Sequence, residues 1–247
     1  MINPYGIIIS IAIFICIKTA EKIIEKKDEE TLWGLSLWAI ISGIIGARLY
    51  HVIDFFDFYL TNPIKILVLW EGGLGILGAI AGGMTGIAIY LKIKGKKILP
   101  WMDVISVVMP LGQSIGRWGN FFNVELFGRP TTLPWGIYVD PEKRPALFSQ
   151  NEKFHPLFIY ESILNLILFI LLFKVYQKKH KELRSGILTS LYLIGYSVIR
   201  FSLEFLRIDP WTIKICENLT LNVAQTISIL LIILSFTFIF TNKGNKK

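Results

Sequence analysis

Seven stretches of this chain are nearly continuous runs of apolar residues, and they decide what it can fold into. They lie at roughly 3–20, 32–53, 72–91, 98–122, 156–176, 186–207 and 220–241. A helix crossing the hydrocarbon core of a bilayer needs ~20 largely apolar residues, and no single soluble core absorbs seven such blocks. Only 18% of the 247 residues are charged, against about a quarter in ordinary soluble domains. The expectation is an all-α membrane protein of seven transmembrane helices, with residues 1–247 forming a single polytopic membrane domain. The first block is the shortest, with a clean run only from Ile7 to Ile17. No basic residue precedes it and no small-residue cleavage site follows, so it reads as a span and not as a signal peptide.

Basic residues orient the spans, because cytoplasmic loops carry the excess of lysine and arginine. The segments 18–31, 92–97, 174–184 and 243–247 hold 16 of the 26 Lys and Arg residues. The opposite loops, 54–71, 123–155 and 207–219, hold seven in a greater total length. This places the N-terminus outside and the C-terminus in the cytoplasm. The longest polar stretch, 123–155, carries Pro130, Pro134, Pro141 and Pro145 and is expected to form a small extracytoplasmic cap. The net charge of +8 reads as topology and attraction to anionic lipid, not as nucleic-acid binding. Two cysteines and three scattered histidines speak against a disulfide scaffold or a metal centre.

Ionisable side chains inside spans are costly and are functional candidates by default, with structural pairing as the alternative. Span 2 carries Arg48 and His51, and span 3 opens with Trp70-Glu71-Gly72-Gly73. Span 4 carries Asp103, expected to be a structural partner or cap, and ends in Arg117 and Asn120, with Glu125 just beyond. Span 5 begins His155-Pro156 and continues to Tyr160-Glu161. Span 6 carries Tyr196, Arg200, Glu204 and Arg207. At ~100° per residue these four fall at roughly 0°, 40°, 80° and 20°, on one face, where Glu204 can neutralise both arginines. That face reads either as a structural ion ladder or as part of a site. Most of these groups lie toward the outer half of the membrane, so the expectation is one cavity lined by arginines and carboxylates. Arginine matches phosphate with two parallel charge-assisted hydrogen bonds, which suggests a phospholipid headgroup as ligand. Gly78, Gly82 and Gly86 recur every four residues, the spacing of close helix packing in membranes.

The run Gly116-Arg117-Trp118-Gly119-Asn120-Phe121-Phe122-Asn123-Val124-Glu125-Leu126-Phe127-Gly128-Arg129 closely resembles the signature of the prolipoprotein diacylglyceryl transferase family, GR-x-GNF-x-N-x-E-x-x-G. Tyr5-Gly6, Gly46-Ala47-Arg48, Trp70-Glu71-Gly72-Gly73, His155-Pro156 with Tyr160-Glu161, and Gly195-Tyr196 with Arg200, Glu204-Phe205 and Arg207 resemble further family blocks in the same order. The resemblance implies transfer of the diacylglyceryl group of phosphatidylglycerol to the lipobox cysteine thiol of a secreted precursor. A thioether forms, glycerol 1-phosphate leaves, and no metal or cofactor is used. It further implies a multi-pass plasma-membrane enzyme whose active site faces the extracytoplasmic side.

By the same resemblance, Arg117 and Arg200 hold the departing phosphate. Asn120, Glu125 and Gly128 shape its glycerol end, and Tyr196, Glu204 and Arg207 order the exit side. Tyr5, Arg48 and Glu161 are further substrate-binding candidates. The family continues Trp-x-Gly-Gly into His-Gly-Gly and treats that histidine as the thiol's base; here Leu77 stands in its place. His51, at or beside a family tyrosine, reads either as the substitute imidazole or as a packed span residue. Glu125 and Glu204 are the other candidate bases. Leu157-Phe158 also replaces a common Ser-Gln. Two alternatives follow from these departures: a paralogue using phosphatidylglycerol with another acceptor, or a non-catalytic phospholipid-binding membrane protein.

Overall fold

A computed structural model of the chain describes residues 4–123, 127–216 and 219–241. It is mostly helical: α1 (Pro4–Glu21), α2 (Glu29–Asp54), α3 (Phe56–Thr61), α4 (Ile76–Ile93), α5 (Ile98–Asn123), α6 (Leu157–Lys179), α7 (Ile187–Glu204) and α8 (Val223–Thr241). Among the described residues, six helical segments are long and apolar enough to cross a membrane: Lys26–Asp54, Ile76–Ile93, Ile98–Phe122, Leu157–Lys179, Ile187–Glu204 and Val223–Thr241. The first expected span is the helix α1, of 18 residues, which is not one of those six. The protein is a multi-pass membrane protein.

Two small antiparallel ribbons accompany the helices. β1 (Ile137–Tyr138) pairs with β2 (Lys153–Phe154), and β3 (Thr212–Cys216) with β4 (Leu219–Asn222). The second ribbon occupies residues expected to be loop and the start of the last span. Its alternation of apolar and polar residues from Thr212 to Ile215 has the period of a strand. Helix α8 begins only after it, where Asn222 caps the first turn by accepting a hydrogen bond from the Gln225 N–H at 3.1 Å.

The chain divides into two compact units, one spanning Ile24–Trp101 and the other combining Met1–Ile23 with Met102–Lys247. In the first, α2 and α4 meet backbone to backbone. A Cβ on Gly46 would collide with the Gly78 carbonyl oxygen, one on Gly82 with the Ser42 carbonyl, and one on Gly86 with the Ser42 hydroxyl. The four-residue repeat is therefore a packing seam, as its spacing indicates. Helix α4 starts at Ile76, four residues later than the expected span, because Gly72 (φ 89°) and Gly73 (φ 73°) take the left-handed backbone conformation that turns the chain.

In the second unit, Asp103 near the start of α5 is buried and caps the N-terminus of α7. Its carboxylate accepts from the backbone N–H of Gly186 (2.7 Å) and Thr189 (2.8 Å) and from the Thr189 hydroxyl (2.8 Å). Negative charge at that end also suits the helix dipole, so Asp103 is the structural cap it was expected to be. Ser114 and Ser162 tie α5 to α6, Ser162 Oγ donating to the Ser114 carbonyl at 2.9 Å.

Candidate active site

Three helices of the second unit bring their ionisable residues together. On α5, Gln113, Arg117 and Asn120 follow one another at helical i, i+4, i+7 spacing and so share a face. Gln113 Nε2 donates to the Tyr192 hydroxyl on α7 at 2.9 Å. Arg117 Nη2 lies 2.5 Å from Glu161 Oε1 on α6, an ion pair whose carboxylate side chain is only 5% exposed. Tyr196, one turn beyond Tyr192, lies within the fields of Arg117, Glu161 and Arg200. Along α7, Arg200 Nη2 stands 2.7 Å from Glu204 Oε2, and Arg207 Nε stands 3.9 Å from the same oxygen. The Glu204 side chain is 1% exposed, and its other oxygen accepts from Asn222 Nδ2 at 3.2 Å.

The expected ladder therefore exists, with one correction. Helix α7 ends at Glu204, and Arg207 sits in the turn beyond it, where its N–H donates to the Glu204 carbonyl at 3.2 Å. That turn is pinned by the end of the span 4 signature. Gly128 N–H donates to the His155 carbonyl (2.8 Å), Arg129 N–H to the Leu206 carbonyl (2.8 Å), and His155 N–H to the Arg129 carbonyl (3.1 Å). Gly128 pairs with Arg207 as an antiparallel bridge. A Cβ on Gly128 would stand 2.7 Å from the Leu206 oxygen, so only glycine lets the two segments come this close.

Tyr160 and Glu161, adjacent on α6, point to different partners. Glu161 meets Arg117, whereas the Tyr160 hydroxyl accepts from Trp135 Nε1 (2.8 Å) and shares a hydrogen bond with His155 Nδ1 (3.1 Å). This links the 127–155 segment to the start of α6. Tyr5 on α1 lies over Gly119 of α5, where a Cβ would come within 2.6 Å of its ring. Asn120 is half-buried in the last turn of α5. Glu125 lies outside the described residues.

The remaining candidates belong to the first unit. Arg48 is buried, and all five of its N–H donors are engaged by backbone carbonyls. Nε bonds Ile66 (2.9 Å), Nη1 bonds Gly72 (2.8 Å) and Gly73 (2.9 Å), and Nη2 bonds Val68 (2.9 Å) and Lys65. A guanidinium carries five donors and no acceptor, so what Arg48 binds here is the 65–73 loop. His51 stacks on Phe55 with ring centroids 4.5 Å apart, and its Nδ1 shares a hydrogen bond with the Tyr59 hydroxyl at 3.1 Å. A cavity of about 240 Å³ lies beside it, lined among others by Arg48, Tyr59, Lys65, Glu71 and Gly73. Lys65 and Glu71 pair across this cavity at 3.0 Å, both partly exposed. Leu77, in the first turn of α4, is half exposed.

Of the groups expected to line one cavity, Arg117, Glu161, Arg200, Glu204 and Arg207 come together within the unit of Met102–Lys247, and Arg48 and Glu71 within Ile24–Trp101. Sequence reasoning missed Gln113, Tyr192, Tyr59, Arg129 and Asn222. The first two were within reach, since each stands one helical turn before a residue already singled out. The partnership of Asn222 with Glu204 depends on the ribbon and carried no local signal.

Comparison with known proteins adds independent evidence. The family described as prolipoprotein diacylglyceryl transferase matches residues 1–241. Among curated relatives, the phosphatidylglycerol–prolipoprotein diacylglyceryl transferase of Fervidobacterium nodosum is 42% identical over 224 residues, covering 89% of this chain and 74% of its own length. The proteins of that name from Synechococcus elongatus and Parasynechococcus marenigrum are each 37% identical. They cover 94% and 93% of this chain and 80% and 86% of their own lengths. Every fixed residue of the span 4 signature is present, and its described arginine is held in the ionic cluster of α5, α6 and α7. The chain belongs to the prolipoprotein diacylglyceryl transferase family.

Proposed function

We propose that the protein transfers the diacylglyceryl group of phosphatidylglycerol to the lipobox cysteine thiol of a prolipoprotein. The observation that carries this reading is the cluster of Arg117, Arg200 and Arg207 held by the carboxylates Glu161 and Glu204, in a chain whose relatives bear that enzyme's name. The sulfur attacks the glyceryl carbon that carries the phosphate oxygen. A C–S bond forms, the C–O bond breaks, and its electron pair passes to the phosphate, which leaves as glycerol 1-phosphate. The thiol proton goes to a base. No electron is gained or lost by either substrate, so the reaction as written needs no redox cofactor.

Charge grows on the phosphate as the bond breaks, and preorganised cations in a low-dielectric site stabilise that charge most. Arg117 and Arg200 grip the phosphate. Glu161 and Glu204 fix their direction, and Tyr196 and Arg207 complete the wall. Asn120 faces the glycerol end, and Tyr5 contributes from α1. Arg48 acts through the loop it ties together. Leucine accepts no proton, so the base lies elsewhere than Leu77. His51 takes that part, with Tyr59 holding Nδ1 and Nε2 left for the thiol proton. The chain crosses the plasma membrane seven times, α1 included, as one membrane domain with its N-terminus outside. Residues 123–155 form a cap over the outer face, where the reaction occurs.

The test is transfer itself. Purified protein in vesicles containing phosphatidylglycerol is expected to convert a lipobox peptide to a thioether of diacylglyceryl mass, and to leave the alkylated peptide untouched. An unmodified cysteine peptide, beside an active relative in the same assay, would overturn the reading. The leucine at position 77 favours one second reading, a paralogue that takes phosphatidylglycerol but serves a different acceptor.

A further inference from the structure

The signature ends one residue before a cation that the mechanism above does not use. Arg129 is exposed, yet its backbone is clamped on both sides, to Leu206 and to His155. Its Nε donates to the Arg207 carbonyl at 3.4 Å. The guanidinium therefore stands beside the last arginine of the ladder, and among the described residues no carboxylate is paired with it. Gly128 makes this seat available, because any side chain there would push the segment off the Leu206 carbonyl.

Charge counting gives the position a meaning. Among the described residues, Arg117, Arg200 and Arg207 stand against Glu161 and Glu204, leaving one positive charge. That matches a phosphodiester, which carries one negative charge. The leaving group is a phosphate monoester, which carries about 1.5 to 2 negative charges near neutral pH. With Arg129 the cluster holds two positive charges, and matches the group that departs instead of the lipid that arrives. Interactions that strengthen on the way to the transition state accelerate the reaction, whereas those equal in the ground state do not.

We propose that Arg129, seated by Gly128, is a fourth phosphate-binding arginine that is selective for the leaving phosphate monoester over the lipid phosphodiester. The inference rests on the reading that a phosphate departs from this cluster. Arg129→Ala lowers kcat by about 100-fold, the lower end for losing one preorganised donor, while KM for phosphatidylglycerol stays within about twofold. Arg129→Lys recovers part of the loss, and Arg129→Gln does not. Gly128→Ala reproduces the defect in milder form.

Two soluble inhibitors separate the two phosphate chemistries. In Arg129→Ala, inhibition by glycerol 1-phosphate weakens about tenfold, and inhibition by the phosphodiester glycerophosphoglycerol hardly changes. Unchanged kcat, or equal weakening toward both inhibitors, in a wild-type protein that transfers normally would overturn the proposal alone. A wild-type protein that releases no glycerol 1-phosphate from phosphatidylglycerol would overturn the underlying reading, and the proposal with it. Arg129→Gln, which keeps much of the side chain's length but not its charge, gives the same test if the alanine variant does not fold.

Discussion

Arg117 and Glu161 show how a charge in an apolar helix bundle is held by a partner on the neighbouring helix. A guanidinium alone in a low-dielectric interior is expensive, and the carboxylate 2.5 Å away offsets that cost. Removing Arg117 leaves Glu161 buried without its partner, so Arg117→Ala loses transfer by at least about 100-fold and also destabilises the fold. Arg117→Lys is the cleaner probe. It keeps the charge but not the planar fork, and transfer falls with little change in thermal midpoint; wild-type activity in this variant would remove Arg117 from the phosphate. His51→Phe is expected to cripple transfer while leaving phosphatidylglycerol binding intact, and an unchanged rate would assign the proton elsewhere. Leu77→His adds an imidazole in the first turn of α4 and is expected to raise the rate; no gain would mean that the surrounding pocket has diverged too.

At this scale the sequence was informative wherever partners share a helix. The Arg200–Glu204 pair follows from helical spacing alone, and Arg207 joins it from the turn beyond α7. The sequence could not name the partners of Arg48, whose five acceptors come from a connecting segment 17 to 25 residues away. An arginine in a span suggested a phosphate ligand, and the structure shows it bonded to backbone carbonyls.

Elements are held by two devices that differ in how easily they are read. The α2–α4 seam depends on residues without side chains, and small residues at four-residue intervals announce it directly. Gly82→Val places a branched side chain against the Ser42 carbonyl, and overpacking of this kind costs ~1–3 kcal/mol or more. A lower thermal midpoint in detergent is expected, with phosphatidylglycerol unable to restore it. An unchanged midpoint would mean the seam yields without cost. The cap of α7 by Asp103 is also legible, as a polar residue early in span 4 and away from the other ionisable groups. Asp103→Ala loses three hydrogen bonds and about 0.5–2 kcal/mol of stability, read as a lower midpoint with KM unchanged. The β3–β4 ribbon was hidden because its alternation runs straight into an apolar span, and hydropathy cannot separate the two. The late start of α4 was hidden too, since two left-handed glycines look like any others in an apolar run.

For the whole molecule, hydropathy and loop charge carry most of the argument. The apolar blocks appear as helices in their expected order, with boundaries shifted by a few residues where a cap or a glycine intervenes. The orientation rests on 16 basic residues in four loops. Single cysteines placed at positions 95 and 147 in a variant lacking Cys16 and Cys216 test it: an impermeant thiol reagent applied to intact cells is expected to label position 147 alone. Labelling of position 95 instead would invert the topology and move the cap to the cytoplasm.

In the proposed reaction the bond between glyceryl carbon and phosphate oxygen is the one that breaks, with sulfur taking the carbon. This is tested most directly by counting both products of one reaction. Protein, phosphatidylglycerol and a lipobox peptide are incubated together, and thioether and glycerol 1-phosphate are quantified by mass spectrometry. Equal amounts of the two, both lost in Arg117→Lys, are the expected result. Glycerol 1-phosphate without thioether, or neither product from folded protein with phosphatidylglycerol bound, would contradict the account.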